Sequence, residues 1–169
     1  STSDNLTNDQ TLEISGTAEA NASIEVFIGG NSVGNTTANG SGDWTYDHSG
    51  STLTEATHSI TAKATDAAGN ESAESSALSV EIDITAPNAP VVTGISNDTG
   101  VSNSDGLTND DAIEIHGIAV ANTSVEVFID NTSIGATTAD ENGDWTYNHS
   151  GSALAENSYS ITAKATDAA

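Results

Sequence analysis

Gly42-Asp43-Trp44-Thr45-Tyr46-Asp47-His48-Ser49-Gly50-Ser51 returns almost unchanged as Gly143-Asp144-Trp145-Thr146-Tyr147-Asn148-His149-Ser150-Gly151-Ser152. From Trp44 to Trp145 the offset is 101 residues, and it carries Ser3 to Ala68 onto Ser104 to Ala169 without a gap. About two-thirds of the aligned residues are identical. A period of about 100 residues is too long for one turn of a solenoid and matches the size of a self-contained β-sandwich.

Within one copy the apolar residues alternate with a period of two. Ile24, Val26 and Ile28 flank Glu25 and Phe27; Leu12 and Ile14 flank Glu13; Ile60, Ala62 and Ala64 alternate with Thr61, Lys63 and Thr65; Leu78, Val80 and Ile82 alternate with Ser79, Glu81 and Asp83. Such alternation is the signature of half-buried strands. Turn clusters such as Gly29-Gly30-Asn31 and Asn39-Gly40-Ser41-Gly42 separate them. A complete repeat is therefore expected to be an all-β, seven-stranded sandwich. In the second copy the strands are predicted at 91–96, 112–118, 124–129, 133–139, 144–148 and 158–166, and the seventh is visible only in the first copy, at 73–84. Trp44 with Tyr46, and Trp145 with Tyr147, read as core anchors rather than as a platform for stacking sugars.

The first domain is assigned to residues 1–84 and the second to 91–169, joined by a stiff connection at 85–90 that holds both prolines of the chain, Pro87 and Pro90. The second copy opens with Val91 to Thr99, which has no counterpart before Ser1, and stops before any counterpart of Gly69 to Asp83. The first domain is thus expected to lack its opening strand and the second its closing strand, as in a piece of a longer, soluble chain.

Composition narrows the functional classes. With 25 acidic and 2 basic residues the net charge is −23, which leaves almost nothing to grip nucleic acid or an anionic membrane. No run approaches the roughly 20 apolar residues of a spanning helix, and Ser1 to Gln10 does not read as a secretion signal. The absence of Cys excludes disulfide scaffolds, thiolate zinc sites and Cys nucleophiles.

Counting strand parity places the carboxylates at the domain poles. Asp4, Asp9, Glu81 and Asp83 of the first domain are expected to face Asp140, Glu141, Asp144 and Asp167 of the second across the junction. Close carboxylates repel by about 1–4 kcal/mol per pair, so such a cluster calls for counter-ions. Calcium suits it, since it takes 6–8 oxygens from carboxylates, amides and carbonyls in flexible loops, and magnesium with its strict octahedron suits it less. The competing reading is a solvated, salt-adapted surface. It accounts for the charge but not for strand faces composed largely of Ser, Thr and Asn.

Ile82-Asp83-Ile84-Thr85-Ala86-Pro87, Asn97-Asp98-Thr99-Gly100, Leu107-Thr108-Asn109-Asp110 and Ala64-Thr65-Asp66-Ala67-Ala68-Gly69-Asn70 resemble the bacterial Ig-like extender repeats of giant adhesins, the biofilm-associated and RTX-type proteins exported by type I secretion. The resemblance covers essentially the whole chain. It implies tandem Ig-like domains on a bacterial cell surface, adjacent copies of the same repeat as partners, and inter-domain calcium stiffening a stalk. It further implies Asp4, Asp9, Asp83 and Asp167 as ligands at the internal junction, Asp98, Asp105 and Asp110 as the equivalent half at the far pole, and Asp66 at a preceding junction.

No catalytic constellation accompanies these features. His48 and His149 are repeat equivalents, whereas His58 aligns with Tyr159 and His116 with Ser15, and no G-x-S-x-G or H-E-x-x-H motif occurs. The expectation is a non-enzymatic extender. The alternative, a ligand- or carbohydrate-binding accessory module of a secreted protein or enzyme, would call for one copy to diverge in a loop cluster, and the gapless alignment shows none.

Overall fold

The computed structural model describes residues 5–99 and 101–169. The chain divides into two compact units, Ser1–Ile84 and Thr85–Ala168. Unit 1 holds β1 (Leu6–Thr7), β2 (Glu13–Thr17), β3 (Ser23–Ile28), β4 (Asn31–Thr37), β5 (Asp43–Asp47), β6 (Ala56–Thr65) and β7 (Leu78–Ile82). Unit 2 holds β8 (Val91–Ile95), β9 (Glu114–Ile118), β10 (Ser124–Ile129), β11 (Thr132–Thr138), β12 (Asp144–Asn148) and β13 (Ile161–Thr166). Each unit is a two-sheet sandwich. In unit 1 the sheet β1-β7-β6-β3-β4 covers β2-β5, and in unit 2 β11-β10-β13 covers β12-β9-β8.

The alternation read from the sequence is the alternation that packs. Ile24, Val26 and Ile28 on β3 are buried, as are Val125, Val127 and Ile129 on β10. The hairpin that follows each strand turns on two left-handed residues, Gly29-Gly30 (φ +58° and +77°) and Asp130-Asn131 (φ +49° and +63°). Two left-handed positions in succession match the right-handed twist of the strands, and Gly, Asn and Asp tolerate them.

Tyr46 of β5 and Tyr147 of β12 clasp the two sheets together. Each hydroxyl donates to a backbone carbonyl of the opposite sheet, Val33 on β4 and Ile134 on β11. The next residue is glycine in both copies; a Cβ at Gly34 or at Gly135 would lie 2.5 Å from the tyrosine oxygen. Trp145 is fully inside, as expected, but Trp44 is only partly covered. The difference follows from the strands present: β8 lies along β9 in unit 2, and β2 of unit 1 pairs only with β5 among the described residues.

The cores differ for the same reason. Unit 1 buries Val80 and Ile82 of β7 together with Ile60, whereas in unit 2 Ile161, the counterpart of Ile60, is only partly covered. Unit 1 also departs from the sequence reading in two places. The closing strand starts at Leu78 instead of Ala73, because Ser72 and Ser75 hold the chain beside β6 out of step. Their amides donate to Ala64 and Ala62 oxygens at 2.8 and 2.9 Å, and their hydroxyls accept from the same two residues' amides. Three residues on one side thus span two on the other, and the regular ladder resumes only at the Ile60–Leu78 pair. In addition, β1 pairs in parallel with β7, Leu6 opposite Glu81 and Thr7 opposite Ile82. A two-residue strand carries no period from which such a pairing could be read.

Candidate metal-binding loops

The β8–β9 loop gathers the largest share of the expected ligands. Asn97 leaves β8 in a left-handed conformation, φ +52°, and its backbone carbonyl accepts from Thr108 Oγ1 at 2.6 Å while its side-chain Nδ2 donates to Asp110 Oδ2 at 2.7 Å. Thr99 Oγ1 donates to Asn109 Oδ1 at 2.9 Å and accepts from the Asn109 amide at 3.0 Å. These bonds fold the loop back on itself. Asp98 then points into it: Oδ2 accepts from the Gly106 amide at 3.0 Å, and Oδ1 is sealed from solvent with no donor among the described residues. Asp105 Oδ1 accepts from the Leu107 amide at 3.1 Å. Asp110 Oδ1 accepts from the Ala112 amide at 3.0 Å, and the Asn97 side chain, then this amide, hold its carboxyl below the usual range.

An ionised oxygen buried without a donor is costly unless a cation or proton meets it. The loop's remaining donors are hard oxygens of Asp, Asn and Thr, the set that calcium takes. The chemistry of the donors therefore fits calcium. Among the described residues no three His, Asp or Glu side chains are grouped for a metal ion, so a cation at Asp98 would draw on neutral oxygens as well as carboxylates.

The corresponding segment of unit 1 repeats the turn at Asp110, with Thr11 Oγ1 in place of the Asn97 side chain as the further donor. Asp4 and Gly100 lie outside the described residues. Asp9 accepts from the Thr11 amide at 2.7 Å and from Thr11 Oγ1 at 2.6 Å, and the hydroxyl, then the amide, hold its carboxyl below the usual range. The β1–β7 pairing brings Asp83 to the same end of the unit, since its amide donates to the Thr7 oxygen at 3.0 Å. Glu81 is exposed on β7, one residue before the buried Ile82.

Asp66 and Asp140 serve turns. Asp66 Oδ1 accepts from the Ala68 and Asn70 amides, both at 2.8 Å, and Oδ2 from Asn70 Nδ2 at 2.8 Å. The Asn70 side chain is the main cause of its lowered pKa. Asp140 Oδ1 accepts from the Asn142 and Asp144 amides at 2.8 and 2.9 Å. In unit 1 Asn39 occupies the equivalent position and takes the Ser41 and Asp43 amides with a neutral oxygen. The turn therefore needs an acceptor, not a charge. Asp144 opens β12 with its side chain exposed, and Asp167 directly follows β13.

The model of the bacterial Ig-like domain matches twice, over residues 1–84 and 85–169. The chain belongs to the bacterial Ig-like domain family. Among solved structures these two Ig-like domains are similar to a Ca2+-stabilized adhesin that helps an Antarctic bacterium reach out and bind ice, at 23% identity over 98% of this chain and 46% of that one, with a TM-score of 0.46. They are also similar to a 1.5-MDa bacterial ice-binding adhesin (20% identity, 93% and 57% coverage, TM-score 0.41). A third is the BSP domain of a biofilm-associated protein (20% identity, 96% and 26% coverage, TM-score 0.36). The Ig-like pair thus spans about half the length of the first two structures. A comparison with curated proteins returned no match.

Proposed function

We propose that this Ig-like pair is an extender segment of a secreted bacterial surface adhesin, stiffened by calcium bound at the domain ends, with neighbouring copies of the repeat as its structural partners. The observation that carries the calcium reading is Asp98, whose Oδ1 is buried with no donor among the described residues, in a loop of Asp, Asn and Thr oxygens. The extender reading draws on the repeat itself. Two copies with about two-thirds identity and no gap hold spacing and shape constant, as a stalk requires, and neither has diverged to specialise a loop. The carboxylates that would complete each site, Asp4, Asp9, Glu81 and Asp83 in unit 1 and Asp105, Asp110, Asp140, Asp144 and Asp167 in unit 2, belong to this proposal, with Asp66 and Asp140 the least suited because their oxygens already serve turns.

Thermal unfolding in calcium and in chelator tests it. A ligand bound only by the native state stabilises by RT ln(1 + [L]/Kd), and extracellular modules hold calcium with Kd of about 10⁻⁴ to 10⁻³ M. Millimolar calcium should therefore contribute about 1–2 kcal/mol, with magnesium contributing less. Superimposable melts in calcium and chelator refute the calcium reading. Small-angle scattering tests the stiffening, and an unchanged maximum dimension on chelation refutes it.

A further inference from the structure

The chain holds two Asn-Gly pairs, Asn39-Gly40 and Asn142-Gly143, each in the turn that leads into a tryptophan-bearing strand, β5 or β12. They are not repeat equivalents: the 101-residue offset sets Asn39 against Asp140 and Ser41 against Asn142. The fold presents them in opposite ways. Asn39 Oδ1 accepts from two backbone amides, Ser41 at 2.8 Å and Asp43 at 3.1 Å. The main chain of Asn39 is tied into the same turn, its amide donating to the Asp43 oxygen at 2.8 Å and its carbonyl accepting from the Gly42 amide at 2.9 Å. Between these bonds Gly40 is exposed, has open space where a Cβ would stand, and offers its amide to no acceptor among the described residues. At the other pair the roles are exchanged. The Gly143 amide donates to the Asp140 oxygen at 3.0 Å and the residue is buried, while the exposed Asn142 side chain reaches Asp140 Oδ2 from Nδ2 at 3.4 Å.

Two amides aimed at one carbonyl oxygen stabilise the oxyanion that forms when the carbonyl carbon is attacked. A following residue without a Cβ lets its own nitrogen approach that carbon closely. We propose that Asn39 is a site of self-modification, at which the Gly40 nitrogen converts the asparagine to aspartate. Gly40 gives its amide proton to a base in solution, and its nitrogen bonds to Asn39 Cγ. The oxyanion at Oδ1 rests on the Ser41 and Asp43 amides. Its collapse breaks the Cγ–Nδ2 bond, and Nδ2 takes a proton from water and leaves as ammonia. The cyclic imide that remains takes up one water at Cγ, the bond to the Gly40 nitrogen breaks, and that nitrogen regains its proton. The second copy shows that the product suits the turn: Asp140 Oδ1 holds the Asn142 and Asp144 amides at 2.8 and 2.9 Å. The modified turn of unit 1 therefore keeps its hydrogen bonds and gains the charge that unit 2 carries from the start.

The test is peptide mass spectrometry of the two-domain protein held in mildly alkaline buffer, reading the conversion of amide to acid at each pair separately. Water arriving at the main-chain carbonyl of the imide yields isoaspartate, which counts equally as conversion. In the folded protein Asn39 should convert about tenfold faster than Asn142, the worth of one hydrogen bond to the oxyanion. In urea, where only the local Asn-Gly sequence is left, the two rates should converge. Gly40→Ala adds a methyl group into open space, so it should keep the parent's melting curve and slow Asn39 severalfold, with Asn142 unchanged. Three results each overturn the proposal: an Asn39 that matches or outlasts Asn142 in the folded protein, a ratio of rates that urea leaves unchanged, or a folded Gly40→Ala variant that converts at the parent's rate, which would assign the loss to direct attack by water.

Discussion

Asp98 and Gly106 close the β8–β9 loop upon each other: the carboxylate takes the glycine amide at 3.0 Å through Oδ2, which leaves Oδ1 buried, with no donor among the described residues. Gly106 is left-handed, φ +75°, a conformation that glycine adopts without strain, and Asn5, its counterpart in unit 1, is left-handed too, φ +59°. The pair thus fixes a carboxyl oxygen where solvent does not reach it.

Substituting Asp98 by Asn separates the structural from the ionic part of that arrangement. In chelator Asp98→Asn should melt above the parent, since an unpartnered buried charge is removed. In calcium it should melt below the parent, because the proposed site loses a buried carboxylate oxygen. Scanning calorimetry under both conditions checks the crossover, and a calcium shift equal to the parent's contradicts it.

Gly16 and Gly117 answer differently to a methyl group. A Cβ at Gly16 would lie 2.5 Å from Trp44 Cζ2, which has room to shift, whereas at Gly117 it would meet both the buried Trp145 and the Val91 carbonyl. Overpacking costs about 1–3 kcal/mol, so Gly117→Ala should fall at the upper end and Gly16→Ala at the lower. Urea unfolding of the two variants measures this, and equal costs would show that β8 does not depend on the missing Cβ.

Tyr147→Phe removes the hydroxyl that reaches the Ile134 carbonyl and leaves the ring in place. The loss should be about 1 kcal/mol, the usual worth of a hydrogen bond whose partner is left partly buried. Tyr46→Phe should cost a similar amount through Val33. A neutral effect in urea unfolding would mean that the clasp between the sheets rests on ring packing alone.

Acid should weaken the turn at Asp66. Its hydrogen bonds, first to the Asn70 side chain and then to the Asn70 amide, lower its pKa from the ordinary 3.8. The unfolded chain then binds more protons than the folded one as pH falls, so the contribution is present above that value and is lost on passing down through it. The stability gap between the parent and Asp66→Asn should therefore narrow as pH drops below about 4. A gap constant with pH would show that the carboxylate charge plays no part in the turn.

Much of the sandwich was legible in the sequence because packing obeys a local period. Ser124–Ile129 and Asp144–Asn148 are strands at the predicted limits, since each alternates strictly between residues that meet the core and residues that do not. The strand predicted from Ser158 begins at Ile161 instead, and the one predicted from Ala73 begins at Leu78. The strand expected from Ala112 likewise begins at Glu114; beside β7 the hydroxyls of Ser72 and Ser75 replace backbone acceptors, and before β13 the Ser160 amide goes to Asp130 Oδ1, neither of which the period records.

The carboxylates mark the limit of such reading. Along the chain Asp66, Asp98 and Asp140 look alike: short acids in Asn- and Gly-rich loops. The folded chain decides that Asp66 and Asp140 hold turns with their own backbone neighbourhoods, and that Asp98 keeps an oxygen buried and unmet. The sequence by itself determined the repeat, the strand alternation and the collection of acids in loops, because these depend on residue type and spacing. Only tertiary structure decided that β1 joins β7, and which acid keeps an oxygen without a donor among the described residues, because burial and hydrogen-bond satisfaction are set by what arrives from distant parts of the chain.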